Sequence, residues 1–474
     1  MKDFLYDYPF LVVFLFLVFV ALGLFVWRLF LIAAFGLFLV SLFDRRITVA
    51  ILISSVLAFV FFKGFSPKVC NLSKVIGNIV DVKFGSHLTF LVKSEKCKLL
   101  LFAPSRFDNL RIGDRAIFYV KVKPIDSLKN QSFRQYLFSI GVDGVGFVRY
   151  AKRTGKNKFI SFIEHIREKI ENEFYYFLPS KVEYFLDSAF LGDSRYKSRI
   201  KKDFIDTQTA HILAVSGVHM GFVFGMFYFL FYELVSMIGF IYRRFNLKIV
   251  ASNFALVPTM LYFAISGMHI PAIRSFAMMM LFILAVVFSL RKNSLNGLFL
   301  VGSLFLVFNL RSIFNPSFVM SFVMTLFAIV FYEMLSVLKL PVKWAVFVVL
   351  MSLFATPLTV YYFGKLSVFS FVYNAIVVPL FGFVVVPVAF LLLLFSFLPY
   401  GGIKVFLFKI GSFIVSKFLA LVSFLSSHAI VMRVKSDFIM ILFVYVVLVS
   451  FTLLLSKLLS RLNSQSQTHQ QSFS

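Results

Sequence analysis

The polar residues of one stretch, Thr207-Gln208-Thr209-Ala210-His211-Ile212-Leu213-Ala214-Val215-Ser216-Gly217-Val218-His219-Met220-Gly221, stand inside a chain that is otherwise apolar from there onward. A polar side chain surrounded by lipid is costly, so each of these residues is a candidate for function. His211 and His219 are eight residues apart, close to two helical turns, and a helix would set both on one side. Ser216 lies five residues after His211 and three before His219. Such groups offer hydrogen bonds to a polar cargo or, for a serine beside a histidine, nucleophilic attack. Gly217 and Gly221 form a small-xxx-small face for close helix contact. A packing motif, with the histidines bonded to backbone carbonyls, fits the same residues.

A second polar group follows the turn Gly267-Met268-His269-Ile270-Pro271: Arg274, a few residues into the next apolar run. A guanidinium placed there needs an anion or carbonyls, and phosphate is a suitable partner. Pro357, Pro379 and Pro387 interrupt later apolar runs and leave backbone groups that must line protein or water.

The elements that must position these residues are membrane helices. The 474 residues are 60% hydrophobic, with 68 Phe, above the usual apolar share of a soluble domain. Apolar runs of helical span length recur at about 8–27, 29–43 and 47–62. Nine more follow, at about 211–240, 249–267, 270–290, 295–309, 316–338, 344–363, 370–398, 405–428 and 438–458. The run at 8–26 lacks a small-residue cleavage site and reads as a retained span. The expected fold is a polytopic α-helical membrane protein of about 12 spans carrying an inserted small β-barrel. Net charge is +27. The turn Asp44-Arg45-Arg46 and basic turns after alternate later spans put those turns and the C-terminus in the cytoplasm. Residues 68–156 then lie outside it. The excess of Lys and Arg fits both positive-inside topology with lipid headgroup contact and a polyanionic partner.

Expected boundaries are N-terminal spans over 1–67, an extracytoplasmic barrel over 68–156, amphipathic helices over 157–206, the main membrane domain over 207–460, and a polar disordered tail over 461–474. The barrel segment carries 17 Lys/Arg against six acids. Short runs such as Leu88-Thr89-Phe90-Leu91-Val92 and Ala116-Ile117-Phe118-Tyr119-Val120, separated by Gly, Ser and Asn, give about five strands, which suits an OB-type barrel. Lys83, Lys93, Lys96 and Lys98 alternate with Phe84, Phe90 and Phe102, as on a single-strand-binding surface, or on the solvated face of a structural barrel. Cys70 and Cys97 fall in the same segment. In an oxidising compartment they would bridge, contributing about 3–4 kcal/mol; two separate thiols are the alternative. Over 159–178, Ile163, Ile166, Ile170, Phe174 and Phe177 recur at helical spacing opposite charged residues.

Phe190-Leu191-Gly192-Asp193-Ser194 followed by Ala210-His211-Ile212-Leu213-Ala214-Val215-Ser216-Gly217-Val218-His219 resembles the signature of the ComEC family of competence DNA-uptake channels. Later stretches resemble its other motifs in order: Ser266-Gly267 with Pro271 and Ile273-Arg274-Ser275, then Asn315-Pro316-Ser317-Phe318-Val319-Met320-Ser321-Phe322, then Ala355-Thr356-Pro357, Phe363-Gly364, Ser367, Asn374 and Pro379. Ser275 and Met320 depart from the usual alanine and leucine. The resemblance spans roughly 180–400 as motifs. It implies passage of single-stranded DNA across the cytoplasmic membrane during natural transformation. It also implies candidate path residues His211, Ser216, Gly217, His219, Gly267, Arg274, Pro316, Ser321, Thr356, Pro357 and Asn374. The implied partners are single-stranded DNA, membrane lipid, an extracytoplasmic DNA receptor, a separate nuclease, and a cytoplasmic ATP-driven motor or single-strand-binding proteins. Many relatives carry a C-terminal metallo-β-lactamase-like domain. No His-x-Asp-x-Asp-His cluster occurs in this sequence, so the resemblance is to a short form with no metal, cofactor or bond chemistry of its own.

Three alternatives remain. Ala214-Val215-Ser216-Gly217 partly matches the nucleophile motif of rhomboid serine proteases. An ion-coupled transporter would need intramembrane carboxylates, for which Glu233 and Glu333 are the candidates. A structural or lipid-handling protein would use the charge for topology alone.

Overall fold

The computed structural model describes residues 73–84, 88–95, 97–104, 107, 110–128, 131–192, 197–237, 246–268, 270–287, 294–308 and 310–434, with short pieces within 14–18 and 444–452. The expected spans at 29–43 and 47–62, most of those at 8–27 and 438–458, and the tail 461–474 lie outside the described residues.

Five strands close into a barrel in the order β1-β2-β3-β5-β4. They are β1 Lys74–Phe84, β2 Leu88–Ser94, β3 Lys98–Ala103, β4 Asp114–Pro124 and β5 Gly144–Lys156. All pairings are antiparallel except β3 with β5. Strict alternation fills the interior: Phe90 and Val92, Leu99 and Leu101, and Phe118 and Val120 are buried, with Phe90 and Phe118 in ring contact at 6.0 Å. Gly77 permits closure, because a Cβ there would meet Val92 Cγ1 at 2.6 Å and the Lys93 carbonyl oxygen at 2.8 Å. Between β4 and β5, helix α1 (Gln131–Ser139) packs over the barrel.

Gly113 links barrel and bundle. Its φ of +85° suits glycine, and a Cβ would strike Ile160 at 2.5 Å. Helix α2 (Lys158–Phe177) starts there, its free N–H groups capped by Asn157 Oδ1 accepting from Phe159 and Ile160. It buries Ile163, Ile170 and Phe174. Arg111 pairs with Glu168 at 2.9 Å, and Arg311 reaches Asp143 at 3.8 Å and lies 4.7 Å from the Phe138 ring. The barrel therefore touches both α2 and the turn at Leu310–Phe314.

The remaining helices are α3 Ser180–Phe190, α4 Lys197–Asp206, α5 Gly217–Ser236, α6 Leu247–Ile265, α7 Ile270–Val287, α8 Ser294–Phe308, α9 Pro316–Met334, α10 Leu340–Phe363, α11 Ser370–Leu380, α12 Val386–Phe395 and α13 Gly402–Ser427. A π-helical segment, Phe381–Val385, joins α11 to α12, so 370–395 runs as one element. Among the described residues six helices are long and apolar enough to cross a membrane: Gly217–Ser236, Leu247–Ile265, Pro316–Val337, Leu340–Phe363, Ser370–Phe395 and Gly402–Ser427. The protein is thus a multi-pass membrane protein with a β-barrel domain. The expected spans at 270–290 and 295–309 correspond to α7 and to the 15-residue α8. Phe14 packs into α8, where a Cβ on Gly302 would meet its ring at 2.6 Å.

The chain just after α10 meets the chain just after α13, where β6 (Lys365–Ser367) and β7 (Val431–Arg433) pair as a two-stranded sheet. At the start of α13, Lys404 contacts Glu173 of α2 at 2.6 Å.

Candidate functional site

The stretch that carries both histidines is not one helix. Ala210–Leu213 forms a 3-10 turn, Ala214 and Ser216 are extended, and α5 starts only at Gly217. His211 and His219 therefore do not share a helix face, which corrects the expectation from their spacing. His211 lies at the surface of the protein, whereas His219 is fully buried. Unwound backbone within such a bundle must lie in protein or line water. Here side chains tie it down. Thr207 and Thr209 hydroxyls lie 2.8 Å apart, and Thr207 Oγ1 donates to the Asp203 carbonyl at 2.9 Å. Gln208, at a φ of 55°, donates to the Lys365 carbonyl at 3.3 Å, and Lys365 pairs with Asp206 at 2.6 Å.

Ser216 caps α5 with an unusual partner. Its N–H donates to His219 Nδ1 at 3.0 Å, and its hydroxyl lies 3.2 Å from the same nitrogen. A nitrogen that accepts an N–H carries no proton itself, so in neutral His219 the proton sits on Nε2. Nε2 is buried with no hydrogen-bond partner among the described residues. Its ring stands edge-on to Phe190 at 4.7 Å and to Phe381 at 5.4 Å. Phe381 opens the π-helical segment, and a Cβ on Gly382 would meet Val218 at 3.9 Å. Such a local widening of a helix is frequent at functional sites. Pro379 and Pro387 flank it and each removes a backbone donor. Tyr262 donates to the Phe190 carbonyl at 3.0 Å, satisfying the end of α3.

The second and third motifs meet the first. A Cβ on Gly217 would approach Ser275 Oγ at 3.3 Å, so glycine allows α5 and α7 to close here. Arg274 Nε donates to Ser321 Oγ at 2.6 Å and Nη2 to Ser275 Oγ at 3.3 Å. Arg274 is half-buried, and among the described residues no carboxylate pairs with it. Hydroxyls take up two of its N–H donors without neutralising its charge. Gly267 sits at a φ of +81° in the turn that precedes α7. Pro316 opens α9 behind Asn315, whose side chain accepts from the Ser317 N–H at 2.9 Å. Ser216, Gly217, His219, Arg274 and Ser321 thus form one connected set.

The last motif stays apart from it. Thr356 Oγ1 donates to the Ser352 carbonyl at 2.8 Å and Asn374 Nδ2 to the Ser370 carbonyl at 2.8 Å, each within its own helix. Pro357 lies inside α10, near the Phe354 carbonyl that accepts from Tyr445 Oη at 2.8 Å.

The barrel surface expected to guide DNA is reassigned in part. Lys98 Nζ donates to the Ile140 carbonyl at 2.8 Å, and Phe102 stacks on Phe147 at 5.3 Å beside α1. With Phe133, Tyr136 and Ile140 of the α1 region, Phe102 lines a groove rather than a free face. The cause is α1, which covers β2 and β3. Phe90, expected in that alternation, points into the core. Lys93 is exposed; the side chains of Lys83 and Phe84, and Lys96, lie outside the described residues. Cys97 is disulfide-bonded, and Cys70 lies outside the described residues.

The pairing of Arg274 with Ser321, Ser275 against Gly217, and the aromatic contacts of His219 were not legible in the sequence. The one signal for the π-helical segment is the spacing of Pro379, Gly382 and Pro387.

No curated protein and no solved structure matches the chain. Residues 190–458 match the sequence model of the family described as Competence protein. The matched region begins at Phe190, which packs on His219, and includes every member of the connected set. More than half of the chain is covered, and the protein therefore belongs to the ComEC-type competence protein family, with a role in DNA uptake.

Proposed function

We propose that the bundle conducts one strand of DNA across the cytoplasmic membrane, with Arg274 as a phosphate contact on the path. The observation that carries this is a guanidinium in an apolar helix whose described partners are the neutral hydroxyls of Ser321 and Ser275. A charge so placed is held by neutral groups and favours an arriving anion. The unwound segment 210–216 and the start of α5 at Gly217 sit beside it, and a helix start presents N–H groups to anions. His219 shapes the wall through its packing. The protein performs no bond chemistry in this reading. A receptor would deliver the DNA, a separate nuclease would remove the second strand, and a cytoplasmic motor or single-strand-binding proteins would draw the strand inward. The barrel faces outward and the C-terminus inward, as the basic turns favour. Strand order β1-β2-β3-β5-β4 with β3 parallel to β5 supports an OB-type assignment for the barrel. Reconstituted in vesicles, the protein is expected to admit a labelled single strand. Arg274→Gln is expected to lower that rate while insertion is unchanged. Equal rates for the two proteins would overturn the assignment.

An intramembrane serine protease has one observation in its favour, the 3.2 Å approach of Ser216 Oγ to His219 Nδ1. That nitrogen already accepts the Ser216 N–H, and among the described residues Nε2 has no acceptor to orient the ring. Cleavage of a helical peptide lost in Ser216→Ala would favour this alternative.

A further inference from the structure

We infer that the barrel carries a docking face for single-stranded DNA on the outer surface of β1, β4 and β5, starting at the rim of the β2–β3 groove, where Phe147 stacks on Phe102, and running away from α1. The inference rests on the single-strand reading above. Lys74, Tyr119 and Tyr150 stand opposite one another across the three strands. The two tyrosine rings lie 5.9 Å apart, and Lys74 Nζ sits 5.9 Å from the Tyr119 centroid. One step along, Lys121 of β4 pairs with Phe147 of β5. Tyr119 is 43% exposed, Tyr150 54% and Phe147 66%.

Large aromatic rings left in water on a closed barrel are unusual, because their burial is a main source of stability. These three stand among cations. Together β4 and β5 carry seven Lys/Arg and a single acid, Asp114. Asp114 is fully buried, where Arg153 reaches it at 3.5 Å, so it does not neutralise the surface. Lys121, Lys123 and Lys152 are all exposed. Stacking rings interleaved with cations match a flexible polyanion whose bases are free to stack. A duplex, with its bases already stacked, would use the charge alone. The described contacts between barrel and bundle run through Arg111, Gly113, Phe138 and Asp143, and leave the tyrosine row uncovered.

The test uses the full chain in nanodiscs of zwitterionic lipid and a fluorescent oligo-dT, read by anisotropy over a range of salt. Tyr119→Ala with Tyr150→Ala is expected to weaken binding by about tenfold or more, and the two Tyr→Phe changes by about twofold at most. Lys121→Gln with Lys152→Gln is expected to reduce the slope of log K against log salt by about 1.4, or about 0.7 for each phosphate no longer neutralised. Lys181→Gln, exposed on α3 outside the barrel, is expected to change neither. Affinity and salt slope that stay at parental values in the β4–β5 variants would overturn the face. So would equal losses in the Tyr→Phe and Tyr→Ala proteins, which would mark a structural role. Altered preference for anionic headgroups with unchanged oligo-dT binding would assign the face to lipid instead. A parent protein that binds no oligo-dT yet still admits a strand into vesicles would overturn the docking face and leave the passage reading standing.

Discussion

Arg274 Nε donates to Ser321 Oγ at 2.6 Å, which joins α7 to α9 through a cation and a hydroxyl rather than an ion pair. Hydrogen bonds to a charged group contribute about 1.5–3 kcal/mol. Ser321→Ala frees one guanidinium donor and is expected to misplace the charge. DNA passage should fall by roughly tenfold, with less effect than Arg274→Gln. Arg274→Lys keeps the charge but cannot hold both hydroxyls in one plane, so an intermediate rate is expected. Rates of labelled-strand uptake into vesicles rank the three variants. Equal rates for Ser321→Ala and the parent would exclude the hydroxyl from positioning Arg274.

His219 performs two separable tasks, packing between Phe190 and Phe381 and accepting the Ser216 N–H. His219→Phe keeps the ring and removes the acceptor. It should cost about 1 kcal/mol, the usual loss of a helix cap. His219→Ala also opens a cavity among Phe190 and Phe381 and should cost about 3 kcal/mol or more. Thermal unfolding in detergent measures the order. A loss in the alanine variant no greater than that in the phenylalanine variant would show that the ring packing adds nothing beyond the acceptor.

Lys404 is 3% exposed and contacts Glu173 at 2.6 Å. The carboxylate oxygen meets the ammonium as a charge pair without an aligned hydrogen bond. Lys404 Nζ donates instead to the Leu398 carbonyl at 3.1 Å. This pair fastens α2 to the α12–α13 turn. Removing one partner of a buried pair typically costs about 3–5 kcal/mol. Glu173 is partly open to water, so Lys404→Met is expected to fall at or below the low end. Glu173→Gln with Lys404→Met should recover part of the loss. Limited proteolysis at α2 reports the release, and an unreleased α2 in Lys404→Met would refute the fastening role.

The Cys97 disulfide constrains the N-terminal side of β3. Reduction under native conditions is expected to lower barrel stability by about 2–4 kcal/mol. The check is hydrogen exchange at Val92, Leu99 and Leu101. Exchange there that is indifferent to reductant would show that strand pairing alone holds this edge.

Much of the architecture is written in residue periodicity. Alternation in Leu88-Thr89-Phe90-Leu91-Val92 sets strand and facing at once, because every second side chain meets the same side. Helical spacing of Ile163, Ile170 and Phe174 likewise fixes the buried side of α2. Apolar length marks the six spans, since lipid leaves backbone groups no partner but their own helix. The motif order around His211, Arg274 and Ser321 also identified the family.

Only the tertiary structure decided which of these residues meet. Periodicity treats His211 and His219 as neighbours on one helix. Yet the Ser216 N–H and His219 Nδ1 satisfy each other only if the helix begins at Gly217, which leaves His211 outside. The partnership of Arg274 with Ser321 spans 47 positions and depends on how α7 packs on α9, which no local pattern encodes. Likewise, nothing local to β3 says that α1 will cover Lys98 and Phe102 while Tyr119 and Tyr150 stay in water. Alternation tells inside from outside in a barrel, but the helix laid across it decides which part of the outside remains free.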